Sequence, residues 1–142
     1  MFDFVVDTNV LMSILISGKA SYKPIVLFNR FVSVDFIFNE IDEYQNTIFD
    51  KTKLDRLQLI DYTNQILSKI TILPRYVVSE NNLQKATDLT KDIDFNDVWF
   101  IALAMEYKLP LLTRDTKLFN GLQKKGFKDI ILFDQFLKSL IQ

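Results

Sequence analysis

Along the chain, short runs of β-branched and aromatic residues alternate with longer stretches in which apolar side chains return every three or four positions. Phe2–Val6 is the first such run, apolar enough for a strand covered on both faces. Val10–Ile16 continues with helical spacing and stops at Ser17-Gly18-Lys19, glycine being a common helix terminator. Pro24 suits the first turn of a second helix, with Ile25, Phe28 and Phe31 facing inward. Phe31–Phe36 fits either a helix end or a short extended piece. Ile37, Ile41, Tyr44 and Ile48 then describe one amphipathic helix. Lys53–Ile70 describes another, with Leu57, Ile60 and Leu67 inward. Thr71–Pro74 reads as a second strand closed by proline. A helix follows from Ser79-Glu80 to about Lys91. Val98–Met105 is unbroken apolar sequence, a helix buried on nearly all sides. Leu109–Thr113 is a third strand, Thr116–Lys125 a helix ended by Gly126, and Asp129–Phe133 a fourth strand. Phe133, Phe136, Leu137, Leu140 and Ile141 form the apolar face of a short terminal helix turned toward the core.

Strands separated by helices predict an α/β fold, a mostly parallel sheet with helices on both faces. Such sheets bind ligands beyond the carboxyl ends of their strands. Asp7 and Asp115 fall just past two strand ends, and Asp97 sits at the mouth of the buried helix that feeds one of them. Glu40 lies on the edge of its helix's apolar stripe, near Ile37 and Tyr44. Each acid also has a plainer reading. Asp7 and Asp115 are good N-caps, worth about 1 kcal/mol each. Asp94 caps the buried helix with Asp97 at its third position. Glu40 reads equally as a half-exposed helix residue, and Asp92 as a solvated loop acid.

Composition narrows the chemistry. The 142 residues suit one domain over 1–142, with 49% apolar residues and only three Gly and three Pro. There is no Cys and no His, which removes disulfides, thiolate nucleophiles, the Ser-His-Asp triad and imidazole metal sites. A metal here must be held by oxygen, favouring Mg²⁺, Mn²⁺ or Ca²⁺ over Zn²⁺. A net charge of −1 leaves any basic surface local. The N-terminus carries no basic leader segment, and no apolar run is long enough to span a bilayer. The expected setting is cytoplasmic, without a membrane partner.

Taken jointly, the acids point further. Two carboxylates ~4 Å apart at an effective dielectric near 20 repel by about 4 kcal/mol. A divalent cation offsets that; without one, some of the acids must hold protons. An oxygen-lined Mg²⁺ or Mn²⁺ site follows, whose waters can serve as nucleophile in phosphodiester cleavage without any His.

The order Val5-Val6-Asp7-Thr8-Asn9, Glu40 on a helix, Asp97 before Ile101-Ala102-Leu103-Ala104, and Leu112-Thr113-Arg114-Asp115 resembles the PIN domain family over nearly the whole chain. The resemblance implies a three-layer α/β/α sandwich and a metal-dependent ribonuclease in which a metal-activated water attacks the phosphodiester. In small members it implies a VapC-type toxin of a type II toxin–antitoxin pair, with a cognate antitoxin and often a homodimer. Asp7, Glu40, Asp97 and Asp115 match the family's catalytic, metal-binding quartet, with Asn9 and Thr113 as the polar residues that orient it. Three acids crowd Asp92–Asp97, so Asp94 is the reserve for the third role, and Glu43 for the second. Arg114 and Lys117 are candidate contacts to RNA phosphates.

Other classes compete. A phosphohydrolase built on an aspartyl nucleophile usually carries a second Asp two residues after the first, where this chain has Asn9. A receiver-type domain wants paired early acids and a late Lys, which Asp3 and Arg114 do not supply. A PIN-like module that binds RNA or protein without catalysis is the remaining alternative.

Overall fold

The computed structural model describes residues 1–141; Gln142, the last residue of the expected domain, lies outside them. The chain runs β1 (Phe4–Val6), α1 (Thr8–Ser17), α2 (Tyr22–Phe28), β2 (Phe31–Val34), α3 (Phe36–Glu43), α4 (Gln45–Lys51), α5 (Arg56–Leu67) and β3 (Thr71–Leu73). It continues through a 3-10 turn to α6 (Glu80–Thr90), a second 3-10 turn over Phe95–Asp97, α7 (Val98–Tyr107), β4 (Leu111–Thr113), α8 (Thr116–Lys124), β5 (Ile130–Leu132) and α9 (Phe133–Ser139).

The five strands form one all-parallel sheet in the order β3-β2-β1-β4-β5. From β1 the chain first moves outward to β2 and β3, then crosses back over β1 to β4 and on to β5. Right-handed crossovers in opposite directions place the intervening helices on opposite faces, giving a three-layer α/β/α sandwich. The reversal falls between β1 and β4, where the carboxyl ends of both strands open one crevice.

Why β1 sits at the centre follows from its residues. Val5 and Val6 are fully buried, and so are Leu111 and Leu112 beside them on β4. Against this surface lies α7, packed on β1, β2 and β4. Its Val98, Phe100, Ile101, Ala102, Leu103 and Ala104 are all buried, and the two alanines have little bulk to hold the helix away from the sheet. On the other side α1 buries Val10, Leu11, Ile14 and Leu15 and packs against α3, α4 and α5. From α9, Phe136 closes on Phe4 and Phe31 in edge-on aromatic contacts, and Phe133 stacks on Tyr22.

Phe31–Phe36, open between a helix end and an extended piece, is extended over Phe31–Val34, a strand whose four residues are all buried, so it shows no period. Other local expectations are corrected. The single helix expected from Ile37 to Ile48 is two, parted at Tyr44, whose backbone leaves helical geometry at φ −101° and ψ 16°. In α5 a capping box of Asp55 and Gln58 sets the start, and the inward residues are Leu59, Tyr62 and Ile66. Leu57 and Ile60 point outward, at 79% and 45% exposure. Phe28 is likewise 79% exposed, and Val26 takes the inner position on α2. Leu140 and Ile141 lie beyond the end of α9 and are exposed rather than in the core. No helix among the described residues is long and apolar enough to cross a membrane.

Candidate metal centre

Asp7 is the first residue beyond β1 and the N-cap of α1. Its Oδ1 accepts the Val10 backbone N–H at 3.0 Å, so the cap belongs to Asp7 and not to Thr8 or Asn9. Its Oδ2 is buried and has no hydrogen-bond partner. Asp115 stands two residues beyond β4 in the same arrangement. Oδ1 caps α8 through the Leu118 N–H at 3.0 Å, and the Thr113 hydroxyl accepts the Asp115 N–H at 3.1 Å. The two readings of each acid are thus compatible, because one oxygen caps a helix and the other is left free.

Asp97 closes the 3-10 turn ahead of α7 and caps nothing with its side chain; it is 9% exposed, and its Oδ2 is also unpartnered. The cap of that turn is Asp94, whose Oδ1 accepts the Asn96 N–H at 3.0 Å. The expected box, with Asp97 at the third position of a helix starting at Asp94, is replaced by this short turn. The turn brings the acids together. Oxygens of Asp94, Asp97 and Asp115 lie within 4.8 Å of one another.

Glu40, on α3, approaches from the other side. The Thr8 hydroxyl donates to its Oε1 at 2.5 Å, tying α3 to the first turn of α1. Glu40 and Asp97 line a cavity of about 120 Å³ together with Thr8, Asn9, Tyr44, Asp94 and Asn96. Glu43 is exposed at the last turn of α3 and does not line it. Asp92 turns away to an ion pair with Lys125. Arg114 is exposed; its Nη1 donates to Ser13 Oγ at 2.5 Å, and its Nε lies 3.9 Å from Asp134. Lys117 is exposed on α8.

The electrostatics follow from burial. Asp7 is pushed up to about 6, chiefly by desolvation and further by Glu40 and Asp115. The Thr113 hydroxyl, close to the carboxyl but without hydrogen-bond geometry to Oδ2, and the Val10 N–H pull it partly back. Asp97 is pushed up to about 8, again first by burial and then by Asp7, Asp94, Asp115 and Glu40. Glu40 is raised by burial, with Asp94 and Glu43 adding to the shift and Thr8 opposing it. No cation of the protein faces Asp7, Glu40 or Asp97 among these causes, so the acids repel one another without a counter-charge.

A divalent cation fits this set. All the donors are carboxylate oxygens, two of them buried and orphaned, and the spread of the closest three is comparable to the ~4.2 Å between opposite ligands of Mg²⁺. Of the sequence-derived residues, Asp97 and Asp115 fall in the closest group and Asp7 and Glu40 border it. Asp94, the reserve, falls inside it. Thr8, Tyr44 and Asn96 went unrecognised as lining residues. Of these, Thr8 carried a signal: a hydroxyl directly beside Asp7 at a helix start.

Comparison with known proteins agrees with this frame. Chains of similar structure include PAE2754 from Pyrobaculum aerophilum, 14% identical, with a TM-score of 0.70 over 99% of this chain and 96% of that one. VapBC2 from Rickettsia felis, bound to a DNA fragment from its promoter, is 18% identical with a TM-score of 0.60 over 92% and 97%. A toxin–antitoxin complex from Klebsiella pneumoniae is 20% identical with a TM-score of 0.58 over 91% and 96%. Among curated proteins, no sequence matches. The model of the PIN domain matches residues 5–133, from β1 to the first residue of α9 and across Asp7, Glu40, Asp94, Asp97 and Asp115: the chain belongs to the PIN domain family.

Proposed function

We propose that this protein is a divalent-metal-dependent ribonuclease that hydrolyses RNA phosphodiester bonds. The observation that carries the reading is the pair of buried, unpartnered oxygens, Asp7 Oδ2 and Asp97 Oδ2, among further acids at the sheet's switch point. PIN domains are generally nucleases, which supports the same class of chemistry. Asp94, Asp97 and Asp115 would hold a Mg²⁺ or Mn²⁺ ion, with Asp7 and Glu40 as the adjoining ligands. When bound, the ion supplies Lewis-acid polarisation of the phosphate and lowers the pKa of coordinated water.

The protein's own groups set the conditions for that step. At neutral pH the Asp97 carboxyl holds a proton, which has to leave before the carboxylate can act as a ligand. The caps on Val10 and Leu118 fix the Asp7 and Asp115 side chains, so neither has to reorient. Thr8 holds Glu40 by its Oε1 and leaves Oε2 for the site.

The structural likeness to VapBC2 and to the Klebsiella pneumoniae toxin–antitoxin complex supports a biological role as the toxin of a toxin–antitoxin pair, with an antitoxin as its partner; the type II class and a homodimer rest on the family resemblance alone. Purified protein should cleave RNA with Mn²⁺ or Mg²⁺ and stop on chelation. Asp7→Asn and Asp97→Asn should each lower the rate at least a hundredfold while circular dichroism stays native. Equal cleavage by wild type and Asp97→Asn would sink the reading.

A further inference from the structure

Beside the acid cavity runs a second, open depression of about 440 Å³ between α1 and α4. Asn9 lines both, so the two adjoin. The depression differs from the cavity in charge: no acid lines it, and Arg114 and Lys51 do. Ser13 and Thr47 add hydroxyls, over a floor that includes Met12 and Ile16. Arg114 is held here by its donation to Ser13 Oγ, which itself donates to the Asn9 carbonyl at 2.8 Å. One N–H on an edge of the guanidinium is thereby fixed, and the remaining N–H donors are left for another partner.

We propose that the RNA strand passes from the acids into this groove, where Arg114 and Lys51 hold its phosphates. The proposal rests on the ribonuclease reading but concerns binding, which is measured apart from cleavage. A strand cut at the acids must continue on at least one side of them. The groove is the adjoining surface lined by cations and hydroxyls and free of acids. Asp134, 3.9 Å from Arg114 Nε, competes for that cation and should weaken the grip.

The test is fluorescence anisotropy of a labelled single-stranded RNA 12-mer on the full chain in chelator, titrated with salt. Each lost phosphate contact lowers the slope of log affinity against log salt by about 0.7 for a single strand. Arg114→Ala and Lys51→Ala should each weaken binding severalfold at low salt and each reduce the slope by about that amount. Arg114→Lys should restore most of the slope, and Asp134→Asn should tighten binding. Lys124→Ala removes the same charge from the exposed end of α8 and should change neither quantity. If the slopes shift as stated but no metal supports cleavage, the groove stands and the nuclease reading falls. If RNA is cleaved while Arg114→Ala and Lys51→Ala bind like wild type, or like Lys124→Ala, the groove proposal is overturned. Loss of affinity for an acidic peptide, with RNA binding unchanged, would overturn it in favour of a protein partner.

Discussion

Asp97 carries the strongest physical tension in the molecule. Buried among four other acids, its carboxyl is pushed from an ordinary 3.8 to about 8, and that of Asp7 to about 6. A carboxyl whose pKa is higher folded than unfolded binds more protons in the native state, so ionising it works against folding. In chelator, stability should therefore decline as pH rises from about 4, with the Asp7 share spent near 6 and the Asp97 share near 8. Asp97→Asn should flatten that decline and raise the melting temperature at pH 8. A variant that melts lower than wild type at pH 8 in chelator, with the same pH slope, would contradict this account of the site.

Among the elements, the helix ends show where the backbone is under constraint. Gly18 ends α1 at φ +60°, and a Cβ there would meet Leu54 at 2.7 Å. Gly18→Ala should cost about 1–2 kcal/mol in urea unfolding. Lys108 ends α7 in the same left-handed region, at φ 54°, without a glycine's freedom. Lys108→Gly should accordingly be neutral or gain up to about 1 kcal/mol. How far the elements were legible depended on contrast along the chain. The polar residues after β1 and β4 stand out against apolar strands, which is why Asp7 and Asp115 could be placed at strand ends from sequence. In the sequence β2 stays open between a helix end and an extended piece, because Phe31, Val32, Ser33 and Val34 are all buried, and Ser33 is satisfied by donating to the Val6 carbonyl. The break at Tyr44 was hidden because the apolar spacing runs straight through it. Leu57 and Ile60 misled the phase of α5 because exposed apolar residues obey the same spacing as buried ones. Asp94 was placed second to Asp97 because the order of acids along a chain does not reveal a 3-10 turn that folds them onto one point.

For the molecule as a whole, the acids come from chain positions as distant as Asp7 and Asp115 and meet only when β1 and β4 lie side by side. An ion held by them binds the native state alone, and its binding energy becomes folding energy. Mn²⁺ at about 100 times its dissociation constant should add about 2.7 kcal/mol. Differential scanning calorimetry should show the melting temperature climbing with the logarithm of Mn²⁺ concentration. In Asp97→Asn that dependence should weaken, and a wild-type transition indifferent to Mn²⁺ would refute the site.

Because one oxygen of Asp7 is bonded to the Val10 N–H while the other is buried without a partner, and the carboxyl feels the charges of Glu40 and Asp115, its ionisation is transmitted to a backbone amide. That makes Val10 a native spectroscopic reporter. Its amide proton resonance should titrate with a midpoint near pH 6 in the metal-free protein, move again on adding a divalent ion, and do neither in Asp7→Asn. A single peak in a nitrogen-correlated spectrum would then follow the loading of the site in a molecule that has no histidine ring to watch.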